Sequence, residues 1–246
     1  MSYADFRRQE SPRGGGFGGF EVAADATDSA RAEFVRQTYL HLGGAILAFA
    51  GLTAILVNSS FAPALMGTLA ASPFSWLIVL GAFMLVGTIA ERWAQSGAST
   101  AVQYAGLGLY VVAQSIIFVP LLFIAARYAP GAIPTAGVLT ATVFGGLTAT
   151  VLLTKKDFSF MGRALSIAGF GAMGMIIVSI LFGFSLGNLF AAAMIVLMAG
   201  YILYQTSNIV HHYPVGSHVA ASLALFASVA TMFWYILRIV MSFSRD

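Results

Sequence analysis

The sequence predicts an all-α polytopic membrane protein, a bundle of seven transmembrane helices, and three observations carry that reading. Of 246 residues, 59% are hydrophobic and 9% charged, with a mean hydropathy of +0.88; soluble domains carry about 25% charged residues. The acids are also segregated. Asp5, Glu10, Glu21, Asp25, Asp28 and Glu33 precede residue 35, leaving Glu91, Asp157 and Asp246 for everything after it. Finally, seven stretches reach the roughly 20 apolar residues that cross a hydrocarbon core about 30 Å thick.

In chain order the spans are 35–57, 73–90, 101–126, 134–153, 160–182, 187–210 and 217–241. The first is preceded by an acidic, alanine-rich stretch, where Asp28 or Ser29 can cap a helix that runs into the membrane. Ala71-Ser72-Pro73 opens the second, and Glu91-Arg92 closes it. Pro120 lies inside the third and is expected to kink it. Arg127, Pro130 and Gly131 separate it from the fourth, and Lys155-Lys156-Asp157 separates the fourth from the fifth. Only Gly183 to Asn188, between spans five and six, lacks a charge; if it were no turn, the count would be six. His211-His212-Tyr213-Pro214 ends the sixth span.

Seven spans set the two termini on opposite sides. With the N-terminus inside, the tail and the loops 91–100, 154–159 and 211–216, with their flanks, collect Arg7, Arg8, Arg13, Arg31, Arg36, Arg92, Lys155, Lys156 and Arg163. The other side keeps Arg127, Arg238 and Arg245. The excess of bases predicts N-in, C-out. Residues 1–20 lack the apolar core of a cleavable leader, so the first span is expected to direct insertion. Two regions follow: a cytoplasmic tail, 1–34, Gly- and Arg-rich and disordered over 1–20 with a short helical stretch after it, and a membrane domain, 35–246. The few Arg/Gly/Phe elements of the tail are read as a solvated segment without nucleic acid as partner.

Several motifs look chemical and are read otherwise. The absence of cysteine excludes disulfides, thiolate metal sites and cysteine nucleophiles. Gly169-Phe170-Gly171-Ala172-Met173-Gly174 matches a dinucleotide fingerprint, which needs a preceding strand and a following acid; inside an apolar helix it reads as a packing surface. His211, His212 and His218 cluster between spans six and seven with no thiol or carboxylate near them in sequence, so an interfacial loop is expected rather than a metal site. His41 is expected to face the bundle or the interface. No catalytic residue, cofactor or metal is assigned, and an intramembrane hydrolase lacks its Asp pair or HExxH motif.

Packing and polarity within the spans say more. In the fourth, Gly137, Ala141, Gly145 and Ala149 form a small-residue row, with Thr142, Gly146 and Thr150 beside it, suited to close helix packing in the middle of a bundle. The seventh has a similar face in Ala220, Ala224, Ala227, Ser228 and Thr231. Gln205 and Asn208 share a face of span six, as Ser228 and Thr231 share one of span seven. Polar groups at membrane depth need partners and mark a candidate ion path; interhelical hydrogen bonding, worth about 0.6–2 kcal/mol, is the alternative. No carboxylate sits deep in any span, so a proton relay or a tight Ca²⁺ site lacks its usual ligands.

Four segments together resemble the transmembrane Bax-inhibitor-motif family, in particular its bacterial YccA-like branch, over about 35–246. They are Val35-Arg36-Gln37-Thr38-Tyr39, the Thr154-Lys155-Lys156-Asp157-Phe158-Ser159-Phe160-Met161-Gly162 loop, Leu203-Tyr204-Gln205-Thr206-Ser207-Asn208-Ile209-Val210-His211, and the terminal Ser244-Arg245-Asp246. The resemblance implies seven helices with the seventh central, in a bacterial cytoplasmic membrane. It implies either a non-enzymatic modulator of an FtsH-type AAA protease or a Ca²⁺ leak. Leak members carry an aspartate in each of spans six and seven; those positions read here as Gln205 and Ser228, which cannot neutralise Ca²⁺ as two carboxylates do. The expected partners are the lipid bilayer, such a protease and, in the alternative, Ca²⁺ as permeant ion.

Overall fold

A computed structural model describes residues 22–96 and 99–244. The Gly- and Arg-rich segment 1–20 lies outside the described residues, as do Arg245 and Asp246. The chain runs α1 (Asp28–Val57), α2 (Phe61–Ala70), α3 (Pro73–Ala94), α4 (Thr100–Tyr128), α5 (Ala132–Thr154), a 3₁₀ turn (Ser159–Met161), α6 (Gly162–Phe182), α7 (Gly187–His211) and α8 (His218–Phe243). Seven of these helices are long and apolar enough to cross a membrane. The eighth, α2, is ten residues long, about 15 Å at 1.5 Å per residue, so it cannot span; it fills the connection between the first two spans.

Local chemistry sets the helix ends. Thr27, rather than Asp28 or Ser29, caps α1: its Oγ1 accepts the Ala30 N–H at 3.3 Å. Ser72 caps α3 by accepting the Phe74 N–H at 3.2 Å, with Pro73 in the first turn. The uncharged break before α7 is a true turn. Gly183 ends α6 at φ +71° and Gly187 begins α7 at φ +66°, conformations that cost glycine least. The count is therefore seven.

The seventh span, α8, is central as expected, and α4 shares the centre with it. About half of the apolar core of α4 (50%) and of α8 (56%) is buried, against 11% in α3 and in the α6 segment. Helix α8 touches α1, α3, α4, α5 and α7. Phe118 of α4, 1% exposed, sits edge-on to Phe49 and to Trp234, each with centroids 4.9 Å apart. Phe226 of α8 contacts Phe49 and Tyr110 edge-on, an arrangement worth about 0.5–1.5 kcal/mol per pair beyond area burial. Helix α4 continues through Pro120, which is itself buried.

The small-residue row of α5 departs from expectation. Gly137 is half-buried, whereas Ala141, Gly145 and Ala149 are exposed; a Cβ on Gly137 or Gly145 would meet no atom within 4 Å. The neighbouring Thr142–Gly146–Thr150 row faces outward too. Helix α5 packs instead through Ala132, Ala136, Thr140 and Val151, with Val143, Phe144 and Leu147 against the core. The inward row carries the larger side chains, whose dispersion contacts outweigh those of glycine. The glycine motif of α6 is only partly a packing surface: a Cβ on Gly169 would come 2.8 Å from the Tyr201 hydroxyl, but Gly171 and Gly174 are open.

Candidate functional site

Polar chemistry collects at two levels. At membrane depth the Ser228 hydroxyl of α8 donates to Gln205 Oε1 of α7 at 3.0 Å and to its own Ala224 carbonyl at 3.3 Å. Two of the four polar candidates thus meet between α7 and α8. The other two candidates do not join them. Thr231 Oγ1 donates to the Ala227 carbonyl at 2.8 Å, and the Asn208 carbonyl accepts the His212 and Tyr213 N–H groups where α7 ends. A second neutral bond joins the same two helices at their other end, where Asn188 Nδ2 donates to Ser242 Oγ at 2.8 Å.

The second level lies at the end of the bundle where α5, α7 and the starts of α1, α4, α6 and α8 meet. Lys155, at φ +52°, ends α5 in a left-handed conformation and turns the chain. Two residues on, Asp157 Oδ1 accepts the Ser159 N–H at 2.8 Å and the Ser207 hydroxyl at 3.1 Å. Its Oδ2 lies 3.1 Å from His212 Nε2. Ser207 is fully buried, and its oxygen accepts the Phe158 N–H at 2.8 Å. The Ser159 backbone N–H, then its hydroxyl, hold the Asp157 carboxyl below its usual range, helped by His212 and Ser207 and opposed by partial desolvation. Helix α7 is thus clamped to the α5–α6 loop, which joins two of the segments singled out in the sequence.

The sign of that shift makes a prediction. A depressed carboxyl stabilises the fold above its ordinary value of 3.8 and loses that contribution as the pH falls through the folded value. Asp157→Asn is expected to lower the unfolding midpoint by a few degrees at pH 7, and the gap to wild type should narrow below pH 3.8. A gap of constant size from pH 7 to pH 3 would show that ionised Asp157 contributes nothing.

The three histidines of the 211–218 region do not converge. His212 meets Asp157, a carboxylate that sequence distance hid; His211 Nδ1 lies 3.0 Å from the Ser207 carbonyl; and His218 turns to α1 and α4. There His41 Nε2 is 2.8 Å from the Tyr104 hydroxyl, and that hydroxyl is 3.4 Å from His218 Nε2. His41 Nδ1 lies 2.7 Å from the Gln37 carbonyl. A carbonyl only accepts, so Nδ1 carries a hydrogen; in the neutral imidazole Nε2 is then the acceptor and Tyr104 the donor. A groove of about 380 Å³ between α1 and α4 opens beside this cluster, lined by Gly44, Ala48, Leu107 and Gly108 among others.

The chain before α1 is part of this end as well. Val22 pairs antiparallel with Pro214, and the Ala23 N–H donates to the Tyr213 carbonyl at 2.9 Å. Arg31 donates back to the carbonyls of Ala23, Ala24 and Ala26 at 2.6, 2.8 and 3.3 Å. Val22 and Ala23 thus pack on the α7–α8 loop, and Arg31 ties the 23–26 stretch to the start of α1. Ala23 and Ala26, both buried, were the only signal in the sequence for this docking, and alanine alone does not announce it.

The chain is similar to several known proteins. The chain is 30% identical to an uncharacterized protein of Helicobacter pylori strain 26695 over 231 residues, 89% of this chain and 91% of that one. It is 35% identical to an uncharacterized protein of Pseudomonas aeruginosa over 108 residues, 44% of this chain and 48% of the relative. It is 36% identical over 117 residues, 44% of this chain and 49% of the relative, to the Escherichia coli protein YccA, described as a modulator of FtsH protease. In the P. aeruginosa and E. coli matches the chain spans about half the length of the relative. The family model described as inhibitor of apoptosis-promoting Bax1 (Bax1-I) matches residues 31–245, nearly the whole membrane bundle with its Asp157 clamp and its Gln205–Ser228 contact, and the chain is a member of that Bax inhibitor family of multi-pass membrane proteins.

Proposed function

We propose that this chain is a non-enzymatic integral membrane protein that binds and restrains an FtsH-type AAA protease, in a bacterial inner membrane with the N-terminus on the cytoplasmic side. The observation that supports this best is the docking of Val22 and Ala23 on the α7–α8 loop. Val22, the first described residue, sits at the polar end of the bundle, the end that also carries the Asp157–His212 clamp. An AAA motor working from that side would meet the clamp, and the polar, Gly- and Arg-rich sequence of residues 1–20 would give it a segment to engage. The likeness to YccA supports the same reading.

The test is the degradation rate of a membrane substrate of the host protease, with and without overproduction of this protein. Slower degradation with co-purification of the protease is expected, and a variant lacking residues 1–20 should restrain proteolysis less. An unchanged rate without co-purification would remove the modulator reading. Equal restraint by the truncated variant would remove the segment from the mechanism.

The Gln205–Ser228 contact favours a second reading, a cation leak between α7 and α8. Both side chains are neutral, so such a leak would lack the pH gate of two carboxylates.

A further inference from the structure

We propose that His41, Tyr104 and His218 form a binding site for a divalent transition-metal ion of the zinc and copper class, tying α1 to the two central helices α4 and α8. Three donor atoms from three helices meet there. The Tyr104 hydroxyl oxygen lies 2.8 Å from His41 Nε2 and 3.4 Å from His218 Nε2. The two imidazole rings have centroids 4.8 Å apart.

The spacing fits a metal ion. Zinc sits about 2.0–2.1 Å from an imidazole nitrogen in a tetrahedral site, which puts neighbouring ligand atoms about 3.4 Å apart. One separation in the cluster equals that value, and the other reaches it with a shift of about half an ångström. The ion takes the place of the Tyr104 proton. In the free site that proton points at the lone pair of His41 Nε2; on binding it leaves to water, and the phenolate oxygen and both Nε2 lone pairs turn to the metal. Three protein ligands leave a fourth position for water.

The surroundings hold the ligands in place. His41 Nδ1 lies 2.7 Å from the Gln37 carbonyl, the outer hydrogen bond that fixes tautomer and ring orientation in metal-binding imidazoles. Ser222, fully buried, donates to the Thr38 and His218 carbonyls at 2.8 and 2.6 Å. It pins the start of α8 to α1, and with it His218 to His41. His41 and Tyr104 also line the groove between α1 and α4, which gives an ion a way in.

The donor set decides the class of ion. Imidazole suits zinc, copper and nickel, whereas Ca²⁺ and Mg²⁺ prefer carboxylate, carbonyl and water oxygens. Among the described residues no carboxylate bonds to the trio. Ser228, the α8 end of the Gln205 contact, is ten residues further along the helix, about 15 Å at 1.5 Å per residue. The site is therefore separate from any path between α7 and α8.

Calorimetric titration of Zn²⁺ into the full chain, without a histidine tag and in lipid nanodiscs, tests this. Saturable binding is expected, and His41→Ala or His218→Ala should each weaken it by at least the roughly 10–100-fold that loss of an orienting partner costs. Should alanine unsettle the bundle, His41→Gln keeps an acceptor for Tyr104 and removes the ligand, with the same loss expected. His211→Ala, in the neighbouring loop, should leave the Zn²⁺ affinity unchanged. With Cu²⁺ the wild-type chain should show a visible phenolate-to-copper charge-transfer band, and Tyr104→Phe should lack it. No Zn²⁺ binding in wild type, equal binding by the His41 and His218 variants, or displacement of Zn²⁺ by equimolar Ca²⁺ overturns the proposal.

Discussion

Substituting alanine for Gly106 is expected to destabilise the bundle by about 2–3 kcal/mol, at the upper end for overpacking a close contact. An alanine Cβ there would sit 2.6 Å from the Ala90 carbonyl oxygen, 2.8 Å from the Ala94 nitrogen and 3.0 Å from Trp93 Cβ. Two of these are backbone atoms of α3, so no rotamer change relieves the clash; the two helices have to separate. Ala90 and Ala94 are 0% and 3% exposed, and the same interface carries Gly87 against Tyr110. Separating α3 from α4 therefore disturbs a central helix and the aromatic cluster around Phe118 and Phe226. Gly108→Ala is the control, because its Cβ would meet nothing within 4 Å; it should change stability by less than about 0.5 kcal/mol. Unfolding of both variants in the same detergent, followed by circular dichroism, measures the difference. Equal midpoints would mean that α3 and α4 are not in backbone contact.

Gly106 also marks where the sequence stops being legible. Seven spans, their breaks and their order can be read because length and charge are one-dimensional signals, and a bilayer demands both. Which face of a span turns inward cannot be read the same way. In water the outward face of a helix is polar, but lipid tails are as apolar as a protein core. Helix α5 illustrates this: two small-residue rows lie side by side, and sequence offers no reason to prefer the Ala132–Ala136–Thr140 row over Gly137–Ala141–Gly145. On α8 the sequence shows a small, polar face of Ala220, Ala224, Ala227, Ser228 and Thr231, whose hydroxyls lipid cannot satisfy; Ala220 and Ser228 of that face are buried, and so is Ser222, which lies outside it. The same logic singles out Gln205 and Asn208 on span six without showing which of them meets α8. It failed for the polar end of the bundle, where water is present and polarity no longer implies a partner. Asp157 and His212 are 55 residues apart, and only the turn at Lys155 brings them together. The docking of residues 22–27 rests on backbone hydrogen bonds and on Arg31, none of which has a periodic signature.

Replacing Gln205 and Ser228 together by aspartate is expected to make the α7–α8 contact, and any cation flux along it, depend on pH. The present pair is a neutral hydrogen bond of 3.0 Å, and interhelical bonds of this kind contribute about 0.6–2 kcal/mol. Two ionised carboxylates at about 4 Å would instead repel by about 4 kcal/mol at an effective dielectric near 20. Repulsion exceeds the bond it replaces, so the helices hold together only while the pair keeps a proton. One carboxyl is then raised above its usual range in the folded state. A raised carboxyl leaves stability intact below the unfolded value and removes it as the pH climbs through the folded one. The double variant should therefore unfold at progressively lower temperature as the pH rises above about 4, and it should pass Ca²⁺ in proteoliposomes more readily at the alkaline end. Gln205→Asp alone keeps the Ser228 hydroxyl as donor and places a single charge, so it should show neither trend at full size. Steady Ca²⁺ retention by the double variant from pH 5 to pH 8, with an unfolding midpoint that tracks wild type, would sink the reading of a cation leak between α7 and α8. The 3.0 Å contact would then be a helix-packing bond and nothing more, and the restraint of a protease would stand as the single function proposed for the chain.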